Sequence, residues 1–190
     1  GVDDYVQIDD SDELDGMDNL SVQFWVKFNS YNDYSTGIEG YNILSKSEYG
    51  QNANINVSYS FYTAKDENGM TFLIQTNNGQ ADAYLPNYES IISLNQWHHI
   101  AGTYDGDYAY LFIDGELKAT SAQQEGSIFE NGYALRLGST IGTSWNTFFD
   151  GFIDDISIMS IALSAEQIQS YMIPSPAGDE SGLVGYWNFN

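Results

Sequence analysis

Carboxylates and histidines are the groups in this chain that could do acid–base chemistry, and their spacing argues against catalysis. A retaining glycosidase needs two carboxyl groups about 5–5.5 Å apart, which closely spaced acids on one strand can supply. The glutamates that could serve stand alone, at Glu39, Glu48, Glu125 and Glu130. The two histidines, His98 and His99, are adjacent on a predicted strand, where we expect structural roles. No serine–histidine–aspartate, phosphate-loop or zinc-ligand spacing occurs, so the sequence predicts that the chain is not an enzyme.

One aspartate has a spacing that indicates metal binding. Asp154 alternates in phase with Ile156 and Ile158, so it is predicted to point into the core with them. A lone buried carboxylate is costly, and a calcium ion, which takes roughly six to eight oxygen ligands, would relieve that cost. The competing interpretation is a carboxylate that accepts backbone N–H bonds without a metal.

Two aromatic-rich segments have the composition of a sugar-binding surface. The first, 31–41, contributes Asp33, Tyr34 and Tyr41, and the second, 144–149, contributes Trp145 and Asn146. An aromatic ring stacks on the C–H face of a sugar, while asparagine and aspartate pair with its hydroxyls. We therefore predict that these five residues bind the ligand from exposed loops. The alternative is that the aromatic rings close the ends of the core.

The elements that would position these residues are short strands joined by tight turns. Asx-Gly pairs, which tolerate the positive φ angles of hairpins, occur seven times. Between them, apolar residues alternate with polar ones: Val22, Phe24, Val26 and Phe28 form one stripe, and Phe152, Ile156 and Ile158 form another. The sequence predicts an all-β sandwich or jelly roll of antiparallel strands. One short helix is predicted at 164–172, where Ser164 and Gln167 form a capping box.

Charge and composition restrict the partners. Twenty-seven acids against five bases give a formal net charge of −22, which repels nucleic acid and anionic lipid and favours screening by calcium or salt. No apolar run is long enough for a membrane helix. Cysteine is absent, which favours a bacterial surface protein over a disulfide-linked secreted domain. The length of 190 residues fits a single domain over 1–190, and its opening in strand-like sequence indicates excision from a longer protein.

Several segments, in order along the chain, resemble the bacterial laminin-G-like family. They are Gly1–Val6, Asn19–Lys27, the Trp-His-His strand in 96–106, Leu111–Gly115, Phe149–Ser157, Ala162–Ile168 and Gly182–Phe189. The resemblance implies the concanavalin A-like fold shared with pentraxins and legume lectins: two stacked antiparallel sheets of six or seven strands. It also implies a structural calcium held by Asp154 or Asp155 and faced by Asp3 near the N-terminus. Asp66 and Asn68 resemble a pentraxin calcium loop, but the matching stretch 139–143 has no acids, so we interpret them as turn residues.

Together these features predict a binding function. We expect a non-catalytic, calcium-dependent, lectin-like module of a large bacterial adhesin that binds cell-surface glycans, polysaccharide or peptide. It would be a monomeric domain of a multidomain chain, located outside the cell. The alternatives are an accessory carbohydrate-binding module of a secreted polysaccharide-degrading enzyme, and a peptide-binding or purely structural spacer domain.

Overall fold

The computed structural model describes residues 4–31, 40–49, 55–64, 68–140, 148–173 and 176–189. The first six strands are β1 (Val6–Ile8), β2 (Leu20–Phe28), β3 (Asn42–Tyr49), β4 (Ile55–Ala64), β5 (Gly69–Thr76) and β6 (Gly79–Pro86). The remaining elements are β7 (Trp97–Tyr104), β8 (Ala109–Ile113), β9 (Glu116–Thr120), β10 (Leu135–Leu137), β11 (Gly151–Met159), the helix α1 (Ala165–Met172) and β12 (Leu183–Trp187). Short 3-10 turns lie at Asp12–Leu14 and Tyr88–Ser90.

The strands form two six-stranded sheets, as the sequence predicts. Sheet A has the order β1-β10-β3-β4-β5-β6 and sheet B the order β12-β11-β2-β7-β8-β9, with antiparallel pairing throughout. The Asp114-Gly115 turn that joins β8 to β9 has φ angles of 51° and 76°. These positive values are the ones that tight hairpins require and that Asp and Gly tolerate. The two-sheet antiparallel sandwich is therefore confirmed.

Apolar faces of both sheets meet in one core. Phe24 of sheet B contacts Phe61 of sheet A edge-on, with ring centroids 5.1 Å apart, and Phe61 stacks on Phe72 at 4.5 Å. Gly102 faces this aromatic stack, where an added Cβ would lie 2.6 Å from both phenylalanine rings. The close approach of the two sheets at this point therefore depends on a residue without a side chain.

Helix α1 packs on the outer face of sheet B. Its capping box is present: Ser164 Oγ accepts from the Gln167 N–H at 3.3 Å, and Gln167 Oε1 accepts from the Ser164 N–H at 2.9 Å. Ile168 is buried in a second apolar cluster with Ala101 and Phe112. None of the described helices is long and apolar enough to cross a bilayer.

A buried ammonium group links three segments of the chain near sheet A. Lys46 on β3 is fully buried, and its Nζ donates to the carbonyls of Asn131 at 3.1 Å and Tyr133 at 2.8 Å. It also forms ion pairs with Asp10 and with Asp15, the latter at 3.2 Å. The hydrogen bond from Lys46 lowers the pKa of Asp10, whereas burial raises the pKa of Asp15. Two carboxylates and two carbonyls thus surround one cation.

Replacing Lys46 with methionine should strongly destabilise the fold. The substitution keeps the aliphatic volume but leaves the acids and carbonyls without their shared cation, which typically costs about 3–5 kcal/mol. Urea unfolding measures this cost. Lys118→Met is the matched control, because Lys118 pairs with a Glu116 side chain that is 72% exposed, and such surface pairs contribute at most about 1 kcal/mol. Equal decreases in the free energy of unfolding of the two variants would contradict the role assigned to Lys46.

Candidate functional site

Strand β11 contains a bulge that changes which of its side chains face the core. Its register with β2 pairs Asp154 with Trp25 and then Ser157 with Gln23, so β11 holds one extra residue. The residue after Asp154 has a φ of 51°, the left-handed conformation that accompanies some bulges. The core-facing residues are consequently Ile153, Ile156 and Ile158.

The prediction that Asp154 points inward is therefore wrong, because the alternation restarts at the bulge. Phe152, predicted in the same core stripe, is 52% exposed on the outer face. Asp154 Oδ1 accepts hydrogen bonds from the backbone N–H groups of Asp155 and Phe189, both at 2.9 Å. The Tyr186 hydroxyl donates to Asp155. These bonds match the alternative of a carboxylate satisfied by N–H donors.

The carboxylate oxygens of Asp154 and Asp155 do not by themselves form a calcium site. Within the described part of the chain, no group of three or more histidines and acids is arranged to hold a metal ion. Asp3, the predicted facing ligand, lies outside the described residues. Both hydrogen bonds that Asp154 accepts go to the same oxygen, Oδ1.

The predicted ligand residue Tyr41 is buried. Its side chain is 1% exposed, and its ring packs edge-on against Phe149 with centroids 5.6 Å apart. A ring enclosed in the core cannot stack on a sugar, so its predicted role as a platform is wrong and it closes the end of the core instead. The other predicted ligand residues, Asp33, Tyr34, Trp145 and Asn146, lie outside the described residues.

Hydrogen bonds draw the flanks of the two predicted loops together. Asp150 accepts from Asn29 Nδ2 at 3.0 Å and from Ser30 Oγ at 2.7 Å, and these bonds, first that from Ser30, lower the pKa of its carboxyl. A β-bridge joins Asn42 to Phe148. Segments 32–39 and 141–147 are therefore both flanked by residues at the same end of the sandwich, which we name the loop end.

The two histidines have different surroundings. His98 Nε2 accepts from the Ser93 N–H at 3.0 Å, so its proton is on Nδ1, which donates to Asp114 Oδ2 at 2.8 Å. Asp114 Oδ1 in turn accepts from the His99 N–H at 2.9 Å. His98 thus joins a loop to the β8–β9 turn, as its predicted structural role requires. His99 lies on the opposite face of β7, where its ring meets Trp25 edge-on at 5.4 Å.

An exposed row of side chains crosses the outer face of sheet B close to the loop end. Trp97 and Phe152 are 43% and 52% exposed, and their ring centroids lie 6.4 Å apart. Between them, Lys27 Nζ lies 4.3 Å from the Phe152 centroid and 5.4 Å from that of Trp97. We name Lys27, Trp97 and Phe152 the aromatic row.

A small pocket lies beside the aromatic row, where the C-terminal end of α1 approaches the sheet. Gln23, His99 and Ser157 form its floor, and its walls include Trp25, Asp155, Tyr171 and Met172. The floor residues are 3%, 2% and 1% exposed. Nevertheless Gln23 Oε1, His99 Nδ1 and Ser157 Oγ make no hydrogen bond with any described residue. We name this space the helix pocket.

The sequence predicts part of this outer face of sheet B. Gln23 and Lys27 alternate with the apolar stripe of β2, which predicts an outward direction but not burial beneath a helix. The bulge that places Asp155 and Ser157 around the pocket has no glycine or proline to mark it. Sequence reasoning therefore missed the helix pocket.

Burial lowers the pKa of His99 to about 4, whereas an unperturbed histidine has a value of 6.5. Below pH 6.5 His99 becomes protonated in the unfolded chain but stays neutral in the folded protein. The free energy of unfolding should therefore decrease as the pH falls toward 4. The full effect is about 3 kcal/mol. Urea unfolding at several pH values should show a flatter profile for His99→Gln than for the parent between pH 6.5 and 5. Parallel profiles would contradict the burial of a neutral imidazole.

Comparison with known proteins supports the fold from sequence and from structure. A family model of the concanavalin A-like lectin/glucanases superfamily, of laminin-G type, matches residues 1–169. Pappalysin-1 of Mus musculus is 36% identical over 94 residues, which cover 47% of this chain and 5% of the relative. The match thus spans a small fraction of that protein's length.

Two solved structures share the architecture. A protein from Bacteroides ovatus assigned to carbohydrate binding has a TM-score of 0.71 at 14% identity, covering 97% of this chain and 48% of its own. The native heptameric SAP-like pentraxin of Limulus polyphemus has a TM-score of 0.56 at 18% identity, covering 92% of this chain and 81% of its own. At these identities the likeness shows the fold alone. Family match and two-sheet topology together lead to one conclusion: the chain belongs to the concanavalin A-like lectin/glucanase superfamily, in its laminin-G-like branch.

Proposed function

We propose that this chain is a non-catalytic carbohydrate-binding module whose loop end binds a saccharide. The observation that carries the proposal is the joining of the two loop flanks by Asp150, Ser30 and the Asn42–Phe148 bridge. Segments rich in aromatic and amide side chains, when held at one end of a rigid sandwich, are suited to recognition. The proposed contacts are Tyr34 and Trp145 as stacking rings, with Asp33 and Asn146 as partners for hydroxyl groups.

The charge of the protein favours an uncharged ligand. A formal net charge of −22 repels sulfated and uronic glycans, so neutral sugars are the ligands that we propose. The biological setting that we propose is a large extracellular chain, such as a bacterial surface adhesin. The 5% share of pappalysin-1 that matches supports the idea that such a domain is one module of a long protein.

Loss of an aromatic ring at the loop end should weaken glycan binding. We expect Trp145→Ala and Tyr34→Ala each to reduce affinity roughly tenfold for the neutral glycan that binds best on an array, because each removes a stacking ring. Phe129→Ala is the control, since Phe129 is 37% exposed next to β5 of sheet A. If both loop variants fold normally and bind as the parent does, the site lies elsewhere.

Calcium dependence is the second part of the proposal, with Asp154, Asp155 and Asp3 as the ligands. Asp154→Asn separates the two possible roles of Asp154, because asparagine keeps an oxygen that can accept the N–H bonds of Asp155 and Phe189 but removes the charge that attracts a cation. We expect millimolar calcium to raise the Tm of the parent, a chelator to reverse the rise, and Asp154→Asn to lose the response.

A parent protein whose Tm does not respond to calcium would contradict the calcium proposal. In that case Asp154 would be only an acceptor of backbone N–H bonds, and Asp154→Ala would destabilise the protein more than Asp154→Asn.

A further inference from the structure

Three buried polar groups with no described partner converge on one space. Gln23 Oε1, His99 Nδ1 and Ser157 Oγ line the floor of the helix pocket, and each belongs to a residue that is at least 97% buried. Buried polar groups in folded proteins are normally hydrogen-bonded, since an unmet group costs about 1–3 kcal/mol. The space above them, about 10 Å³, has room for one water-sized group, so a single hydroxyl group is the largest polar group that fits.

Together the three groups favour a ligand that carries hydroxyl groups. The amide oxygen of Gln23 needs a donor, whereas the Ser157 hydroxyl and the neutral His99 ring can each give or take a hydrogen bond. A sugar hydroxyl serves both needs because it donates and accepts. The Asp155 carboxylate in the pocket wall disfavours an anionic group at the same position.

The register of sheet B places the pocket next to the aromatic row. Trp25 pairs with His99, and the next outward-facing pair along the same two strands is Lys27 with Trp97. Residues two apart on a strand lie about 7 Å from each other, so one oligosaccharide can contact both positions. Exposed rings at the row and unmet polar groups in the pocket are thus neighbours on one surface.

We propose that the outer face of sheet B is a second saccharide site, in which one sugar unit places a hydroxyl group in the helix pocket and the next unit contacts Trp97 and Phe152. The ligand class rests on the proposed function, but the location is independent of the loop end. Trp25 and Tyr171 provide the pocket's aromatic walls, and the Lys27 ammonium is a hydrogen-bond donor at the row.

Indole NMR separates the two sites in one titration. The chain has four tryptophans: Trp25 and Trp97 report on sheet B, Trp145 on the loop end, and Trp187 serves as a reference. Single Trp→Phe variants assign the four indole N–H signals of ¹⁵N-labelled protein. The probes are the neutral hexasaccharides of β-1,4-glucose, β-1,3-glucose, β-1,4-mannose and β-1,4-xylose, each titrated to millimolar concentration.

We expect at least one hexasaccharide to shift the Trp25 and Trp97 signals in a saturable way. Movement of Trp145 without movement of Trp25 or Trp97 would overturn this inference and leave the proposed function intact. Movement of Trp25 and Trp97 without Trp145 would support the inference and refute the loop-end location. If no hexasaccharide moves any of the three, both proposals fail.

Two substitutions test the contacts. Ser157→Ala should weaken binding roughly fivefold without lowering Tm, because the hydroxyl has no described partner to lose in the free protein. Phe152→Ala should weaken binding roughly tenfold, while Phe129→Ala, which removes an exposed ring next to sheet A, should not. A Ser157→Ala protein that binds as tightly as the parent would show that the pocket holds water and not sugar, which would overturn the inference.

Discussion

The buried ammonium of Lys46 sits where three separate segments must meet. Lys46 itself lies on β3, and its partners come from the segment after β1, with Asp10 and Asp15, and from the loop before β10, with the carbonyls of Asn131 and Tyr133. Because all of these partners present oxygens, removal of the cation would leave two carboxylates and two carbonyls facing one another. In a protein with a net charge of −22, an internal lysine paired with two acids also reduces repulsion near the core.

This arrangement lies beside the first three strands of sheet A. β1 and β3 do not pair with each other but lie on either side of β10, and the contacts of Lys46 to residues 131 and 133 hold the chain that enters β10. Once sheet A has this order, its apolar face meets sheet B through Phe61, Phe72 and Phe24. The outer face of sheet B is then left to helix α1 and to the exposed aromatic row.

Local patterns predicted the architecture, and tertiary contacts explain what they missed. Turn pairs such as Asp114-Gly115, the stripe Val22–Phe28 and the Ser164 capping box are short-range signals, so sandwich and helix could be predicted from the sequence. The bulge at Asp155 could not, because no residue type there demands it and its effect depends on pairing with β2. Tyrosine suits both a binding loop and a core edge, so the sequence does not distinguish these two roles for Tyr41, and only the contact with Phe149 decides between them.

Under the proposed function, a bound sugar should leave the protein chemically unchanged. The most direct test of this account is calorimetric titration with the neutral hexasaccharides, followed by mass spectrometry of the sugar after prolonged incubation. The account predicts saturable heat for at least one of them and recovery of the intact hexasaccharide. Shortened sugar products, or no binding heat from any of the four, would contradict it.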